Sequence, residues 1–106
     1  IQALTDYRNR YALYRSDEHL RRAHQQFPWI VTWDDHEVDN NYANDVEEHG
    51  MERTMFLERR AGAYQAYFEH MPLRLAQQAA GSRLQLYRRF DFGRLARFHV
   101  LDTRQY

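Results

Sequence analysis

The chain has 106 residues, enough for one small domain or a piece of a larger one, and its 43% apolar content puts a packed core within reach. Fifteen acidic side chains balance fifteen basic ones, so no net field draws the chain to nucleic acid or an anionic membrane. With no cysteine it can form neither a disulfide frame nor a thiolate metal site, and no apolar run approaches the roughly 18 residues of a membrane span.

Leu4, Tyr7, Tyr11 and Tyr14 recur at threes and fours, which predicts a first amphipathic helix over about 3–14. Ser16 reads as the N-cap of a second, with Asp17 and Glu18 in its first turn and Leu20, Ala23, His24 and Phe27 along one face. Pro28 ends it. Trp29 to Trp33 is short, apolar and partly β-branched, and reads as a buried strand. Residues 34–50 carry no apolar period and read as loop. From Met51 to Met71 the spacing predicts a long helix ending before Pro72, with Gly62 inside it. That glycine costs about 1 kcal/mol relative to Ala unless it permits close packing. After Gly81-Ser82 the period changes to two: Leu84 and Leu86, then Asp91-Phe92-Gly93-Arg94 as a turn, then Leu95 to Leu101. This predicts a β-hairpin. Helices, one core strand, a long helix and a terminal hairpin suit part of a layered α/β sheet.

Asp34, Asp35, His36, Glu37 and Asp39 crowd the end of the predicted strand, followed by Asn40 and Asn41. In open α/β sheets, ligands bind beyond the carboxyl ends of strands. Neighbouring carboxylates repel, and unless something cationic is present at least one pKa must rise. A multivalent metal removes that difficulty, since hard cations take carboxylate and amide oxygens. His36 could ligate it or donate a proton. Equally, Asp34 or Asp35 could cap a following turn while Asn40-Asn41 shapes another. The residues alone leave both readings open.

The stretch TWDDHEVDNNYA resembles the central signature of the PhoD-like alkaline phosphatases, members of the calcineurin-like metallophosphatase superfamily. The longer run DYRNRYALYRSDEHLRRAHQQFPWIVTWDDHEVDNNYA and the closing YRRFDFGRLARFHVLDTRQY are similar to the same family, in the same order. The resemblance implies a four-layer α/β sandwich whose metal centre, of iron and calcium, hydrolyses phosphate esters in the periplasm or outside the cell. It implies that Asp35 is a metal ligand and that Asp34 ligates or supports one. It further implies that His36 contacts phosphate and assists the leaving group as a general acid, while Glu37 orients His36. The family's upstream Gly-Asp block and downstream His-containing blocks have no counterpart in these 106 residues. Residues 1–106 are therefore expected to be a partial catalytic domain, truncated at both ends, whose remaining partner is the rest of its own polypeptide. The alternative is a non-catalytic α/β module whose acidic loop holds calcium or caps a helix.

Elsewhere the expectations are structural. Asp102-Thr103-Arg104 reads as a turn or salt bridge at a strand end. Arg21-Arg22, Arg59-Arg60 and Arg88-Arg89 read as solvated faces or partners for nearby glutamates. His49 and His70 read as solvent-facing, and the Tyr7, Tyr11, Tyr14 stripe as packing.

Overall fold

The structure, a computed structural model, describes residues 2–106. Its elements are α1 (Leu4–Arg15), α2 (Glu18–Gln26), α3 (Arg53–His70), a 3₁₀ turn (Leu75–Gln77), β1 (Arg88–Phe92) and β2 (Ala96–Val100). Both long helices fall where their periodicity puts them. α3 buries Phe56, Arg60, Ala63, Tyr64, Ala66 and Tyr67 along one side, the stripe that a 3.6-residue repeat produces. Trp33, Val38, Tyr42, Leu84 and Leu86 pack against it. Among the described residues no helix is long and apolar enough to cross a membrane.

α1 lies on α3 at close range. A Cβ at Gly62 would stand 3.2 Å from the backbone nitrogen of Leu4, so the glycine trades helix propensity for contact. Around it, Arg8 pairs with Glu69 through two bonds of 2.7 and 2.5 Å, and Tyr11 stacks on His70 at 5.0 Å. His70 is thus half-buried, with Nδ1 2.8 Å from the Ala66 carbonyl, and not solvent-facing as expected. Of the tyrosine stripe Tyr7 is buried and Tyr11 half-buried, while Tyr14 is exposed.

Other local expectations also shift. The cap of α2 is Asp17, which accepts from the Leu20 N–H at 2.7 Å; Ser16 instead closes α1, donating to the Leu13 carbonyl at 2.6 Å. The face of α2 is only half covered: Leu20, Ala23 and His24 are intermediate and Phe27 is exposed. Trp29 to Trp33 is not a paired strand. Val31 and Trp33 are buried, but Trp29 and Ile30 are 39% and 43% exposed. Among the described residues no strand is paired with the segment, and side chains link it to the hairpin region: Arg88 Nη2 donates to the Val31 carbonyl at 2.8 Å, and Thr32 Oγ1 to that of Leu101 at 2.8 Å.

The hairpin is antiparallel with Arg88 opposite Val100 and Phe92 opposite Ala96, turning at Gly93 with φ +56°. Pairing begins at Arg88, later than the Leu84–Leu86 alternation suggests. Those leucines are buried by packing, and Leu84 is held at both backbone atoms by the side-chain amide of Gln105.

The arginine pairs divide. Arg22 meets Glu18 at the surface at 2.9 Å, as expected. Arg60 is buried beneath the Tyr64 ring and donates to the Asn44 carbonyl. Arg59 forks onto both oxygens of Asp39, at 2.7 and 2.8 Å, and its Nε donates to the Tyr7 hydroxyl at 3.0 Å. Tyr7 in turn donates to the Val38 carbonyl at 2.7 Å. This chain of bonds ties α1, α3 and the 34–41 loop together. Asp39→Ala leaves a mostly buried guanidinium without its counter-ion, and should cost about 2 kcal/mol in denaturant unfolding of the complete polypeptide. That is below the 3–5 kcal/mol of a fully buried pair, because Arg59 and Asp39 keep 13% and 19% of their side-chain exposure.

Candidate active site

Residues 34–42 fold as a tight turn pinned at two apolar positions. Val38 and Tyr42 are buried, 2% and 0% exposed, and anchor an otherwise polar stretch to the face of α3. Inside the turn Asp35 does most of the organising. Its carbonyl accepts from the Val38 and Asp39 N–H groups, both at 2.9 Å. Its carboxylate accepts from the His36 N–H at 3.0 Å and the Asn41 N–H at 2.7 Å. Asn41 reaches that position in the left-handed region, φ +54°, which Asn tolerates better than most residues.

The turn leaves Asp34 and His36 exposed and Asp35 buried. One ligand atom from each of Asp34, Asp35 and His36 can be chosen so that all three lie within 4.8 Å of one another. Glu37 does not join them. Its Oε2 accepts from the Asp34 N–H at 2.6 Å, closing the turn from below. His36 is held by other residues: Nε2 lies 2.9 Å from Asn40 Oδ1, and Nδ1 lies 3.4 Å from Asp35 Oδ1. Asn40 and Asn41 both donate from Nδ2 to Glu48, one to each carboxylate oxygen.

The closing segment of the chain completes the site from 70 residues away. Arg104 Nη2 stands 3.1 Å from Asp34 Oδ1 and 3.8 Å from Asp35 Oδ2. It is positioned by Asp102, whose Oδ1 accepts from the Arg104 N–H at 3.0 Å, the Gln105 N–H at 2.9 Å and Trp33 Nε1 at 2.9 Å. Asp102 is therefore a turn-forming residue, as its place in the sequence suggests, and Arg104 is the cation that faces the aspartates.

The hydrogen bonds of the turn alter the electrostatic expectation. The Asp35 carboxyl is held below the usual carboxylate range, chiefly by the Asn41 N–H, with smaller help from its other partners, including Arg104. Repulsion alone therefore does not demand a metal here. The donor set still fits one in part. Each Asp35 oxygen accepts one N–H and keeps a lone pair, Asp34 is open to solvent, and His36 adds a nitrogen. Three donors are fewer than the six to eight that calcium takes, so these residues would supply one side of a centre.

Beside His36 opens a cleft of about 540 Å³, lined by Arg10, Tyr11 and Tyr14 of α1, by Glu37 and Asn40 of the turn, and by Arg59. The size falls in the range of small-molecule sites. Asn40 and Arg104 were read from the sequence only as turn or salt-bridge residues, and Glu48 was not singled out at all. Arg104 sits in a segment marked by the family resemblance; for Glu48, nothing local gives it away.

A family model for PhoD-like phosphatases matches residues 1–106, the whole chain. Alkaline phosphatase D of Bacillus subtilis (strain 168) is 61% identical over 106 residues, which are 100% of this chain and 18% of that protein. A solved structure described as "Structure of PhoD" superposes with a TM-score of 0.96 at 61% identity, covering 100% of this chain and 20% of that one. The chain spans about a fifth of the length of the relatives it matches.

Proposed function

The chain belongs to the PhoD-like phosphatase family, and from that premise we propose that it is the central segment of the catalytic domain of a metal-dependent phosphoric ester hydrolase. The observation that carries the reading is the convergence of Asp34, Asp35 and His36 within 4.8 Å, in a chain matched to the family from end to end. Phosphomonoesters and phosphodiesters are the proposed substrates.

Asp35 and Asp34 would hold the ion; iron and calcium are proposed by resemblance to the family. When bound, such a centre stabilises the charge that develops on the phosphoryl oxygens and activates water. The chain's own residues do the rest. His36 protonates the leaving oxygen as a general acid. Arg104, 3.1 Å from Asp34, offsets the negative charge that the two carboxylates and a phosphate accumulate together. Glu37 fixes the Asp34 backbone and so the geometry of the turn. The cleft against Tyr11 and Tyr14 has room for the organic part of the ester. Export to the periplasm or beyond is proposed on the same resemblance.

With Asp34 and Asp35 the ligands gathered here, the remaining ligands would come from elsewhere in the complete polypeptide. The 106-residue chain alone is expected to bind metal weakly and to hydrolyse nothing at a useful rate. The complete polypeptide should release phosphate from an aryl phosphomonoester, or the aryl alcohol from a diester, lose that activity to a chelator and regain it with metal. A metal-replete complete polypeptide that cleaves neither ester sinks the proposal. It would favour the structural alternative, for which the Arg104–Asp34 pair and the bonded Asp35 carboxylate already suffice.

A further inference from the structure

A second cleft, of about 420 Å³, opens where Asn44 and Asp45 meet Arg53 and Arg60 of α3 and the residues Ser82 and Arg83. Arg53 takes the Asp45 carboxylate at 2.5 Å. It is also what chiefly holds that carboxyl below its usual range, and the charge of Arg60 adds least. Arg60 itself is 4% exposed. Its Nη1 donates to the Asn44 carbonyl, which Asn44 presents from the left-handed region at φ +51°. Its Nε is buried with no hydrogen-bond partner. The Tyr64 ring, with its centroid 5.5 Å from the guanidinium carbon, attracts the cation without neutralising it. Arg83 stands exposed on a turn that Ala80 and Arg83 close with backbone bonds of 2.8 and 3.2 Å. Among the described residues neither Arg60 nor Arg83 is paired with a carboxylate.

We propose that this cleft seats a carboxylate side chain from a part of the polypeptide outside residues 1–106, paired with Arg60 and Arg83. The inference rests on the reading of the chain as one segment of a longer protein, a chain that spans about a fifth of the length of the relatives it matches. A buried guanidinium without an anion bears the full cost of leaving water. Three arginines and one aspartate line the cleft, three positive charges against one negative, an excess of two. A neutral carbonyl would satisfy an N–H and leave that charge in place. A carboxylate does both, through charge-assisted bonds. Held on the same polypeptide, it is also present at high effective concentration, so it compensates Arg60 continuously, as a dissolved anion does not. The seat bears on the candidate active site as well. Asn44, which Arg60 holds, donates its N–H to the Arg104 carbonyl at 2.7 Å. The pair therefore steadies the segment that brings Arg104 to the aspartates.

The test is a crystal structure of the complete polypeptide, together with melting temperatures of its variants. An Asp or Glu from outside residues 1–106 should place an oxygen about 2.8 Å from an Arg60 nitrogen. Arg60→Met keeps the length of the side chain and removes its charge. It should lower the melting temperature by about 5 °C or more, because it strands the carboxylate. Replacing that acid by its amide in the Arg60→Met background should then cost little more, the non-additivity of a direct pair. Arg83→Met, at the exposed rim, should fold whatever Arg60→Met does and lower the melting temperature by less. The proposal is overturned if only water or a backbone carbonyl meets Arg60 in the complete polypeptide, or if the two substitutions add in full. It is equally overturned if Arg60→Met raises the melting temperature, as removal of an uncompensated charge does. A dissolved anion in the seat also overturns it: inorganic phosphate would then raise the melting temperature of the metal-stripped polypeptide but not that of Arg83→Met. A complete polypeptide that cleaves neither phosphate ester defeats the hydrolase reading instead, and the seat is still decided by these measurements.

Discussion

His36→Ala in the complete polypeptide is expected to lower turnover of an alkyl phosphate ester by about 10²- to 10⁴-fold, the usual worth of a general acid, or about 3–5 kcal/mol of transition-state stabilisation. The site makes this loss readable. The His36 side chain is 72% exposed and its polar partners are Asn40 and Asp35. Its removal should therefore change stability by no more than about 0.5 kcal/mol, the scale of a surface substitution. Metal content should hold, since Asp34 and Asp35 remain. The leaving group supplies a second control. An aryl alcohol departs without much help, so the variant should lose less on an aryl ester than on an alkyl one. An equal loss on both esters denies His36 the acid role, and a parallel loss of metal and turnover makes it a ligand.

What the sequence makes legible follows the range of the interactions. Helix periodicity is local, and α1 and α3 emerge from spacing alone; the hairpin turn and the meaning of Gly62 follow from single residues. The acidic cluster is contiguous, and the structure gathers Asp34, Asp35 and His36 as a contiguous motif allows. Hidden from a local reading are the contacts that cross the chain. Thr32 meets Leu101, Trp33 meets Asp102, and Arg104 meets Asp34, each across about 70 residues. The Trp29–Trp33 segment has strand composition, yet pairing depends on a neighbour that composition does not contain. Arg60 is a different kind of miss. Its charge suggests solvent, but it stands four residues after Phe56 and four before Tyr64, in phase with the buried stripe, and phase was the better guide. Glu37 is similar. Its carboxylate reaches the backbone N–H three residues earlier, a local closure of the kind seen in capping boxes, so its grip on Asp34 could have been anticipated in place of one on His36.

Trp33→Ala should be the most damaging single substitution to the fold, costing about 3–5 kcal/mol, as large-to-small changes at buried aromatics do. Against a total stability of about 5–15 kcal/mol for a typical domain, urea unfolding of the variant should begin near zero denaturant or lose its cooperative transition. Trp33 is 4% exposed, stacks on Tyr64 at 4.4 Å and meets Tyr67 edge-on at 5.4 Å. It is therefore the contact through which the segment leading into the site packs on α3. Its indole N–H also supplies one of the bonds that hold Asp102, and Asp102 sets the backbone of Arg104 and Gln105. Trp33→Phe separates the two roles. It keeps a stacked ring and removes the donor, so it should cost about 1–2 kcal/mol while loosening Arg104 from the aspartates. Activity should then fall further than so small a loss of stability explains. If Trp33→Ala unfolds within about 1 kcal/mol of the unsubstituted protein, the site turn is anchored by Val38 and Tyr42 alone, and the path from the core through Asp102 to Arg104 carries no energy.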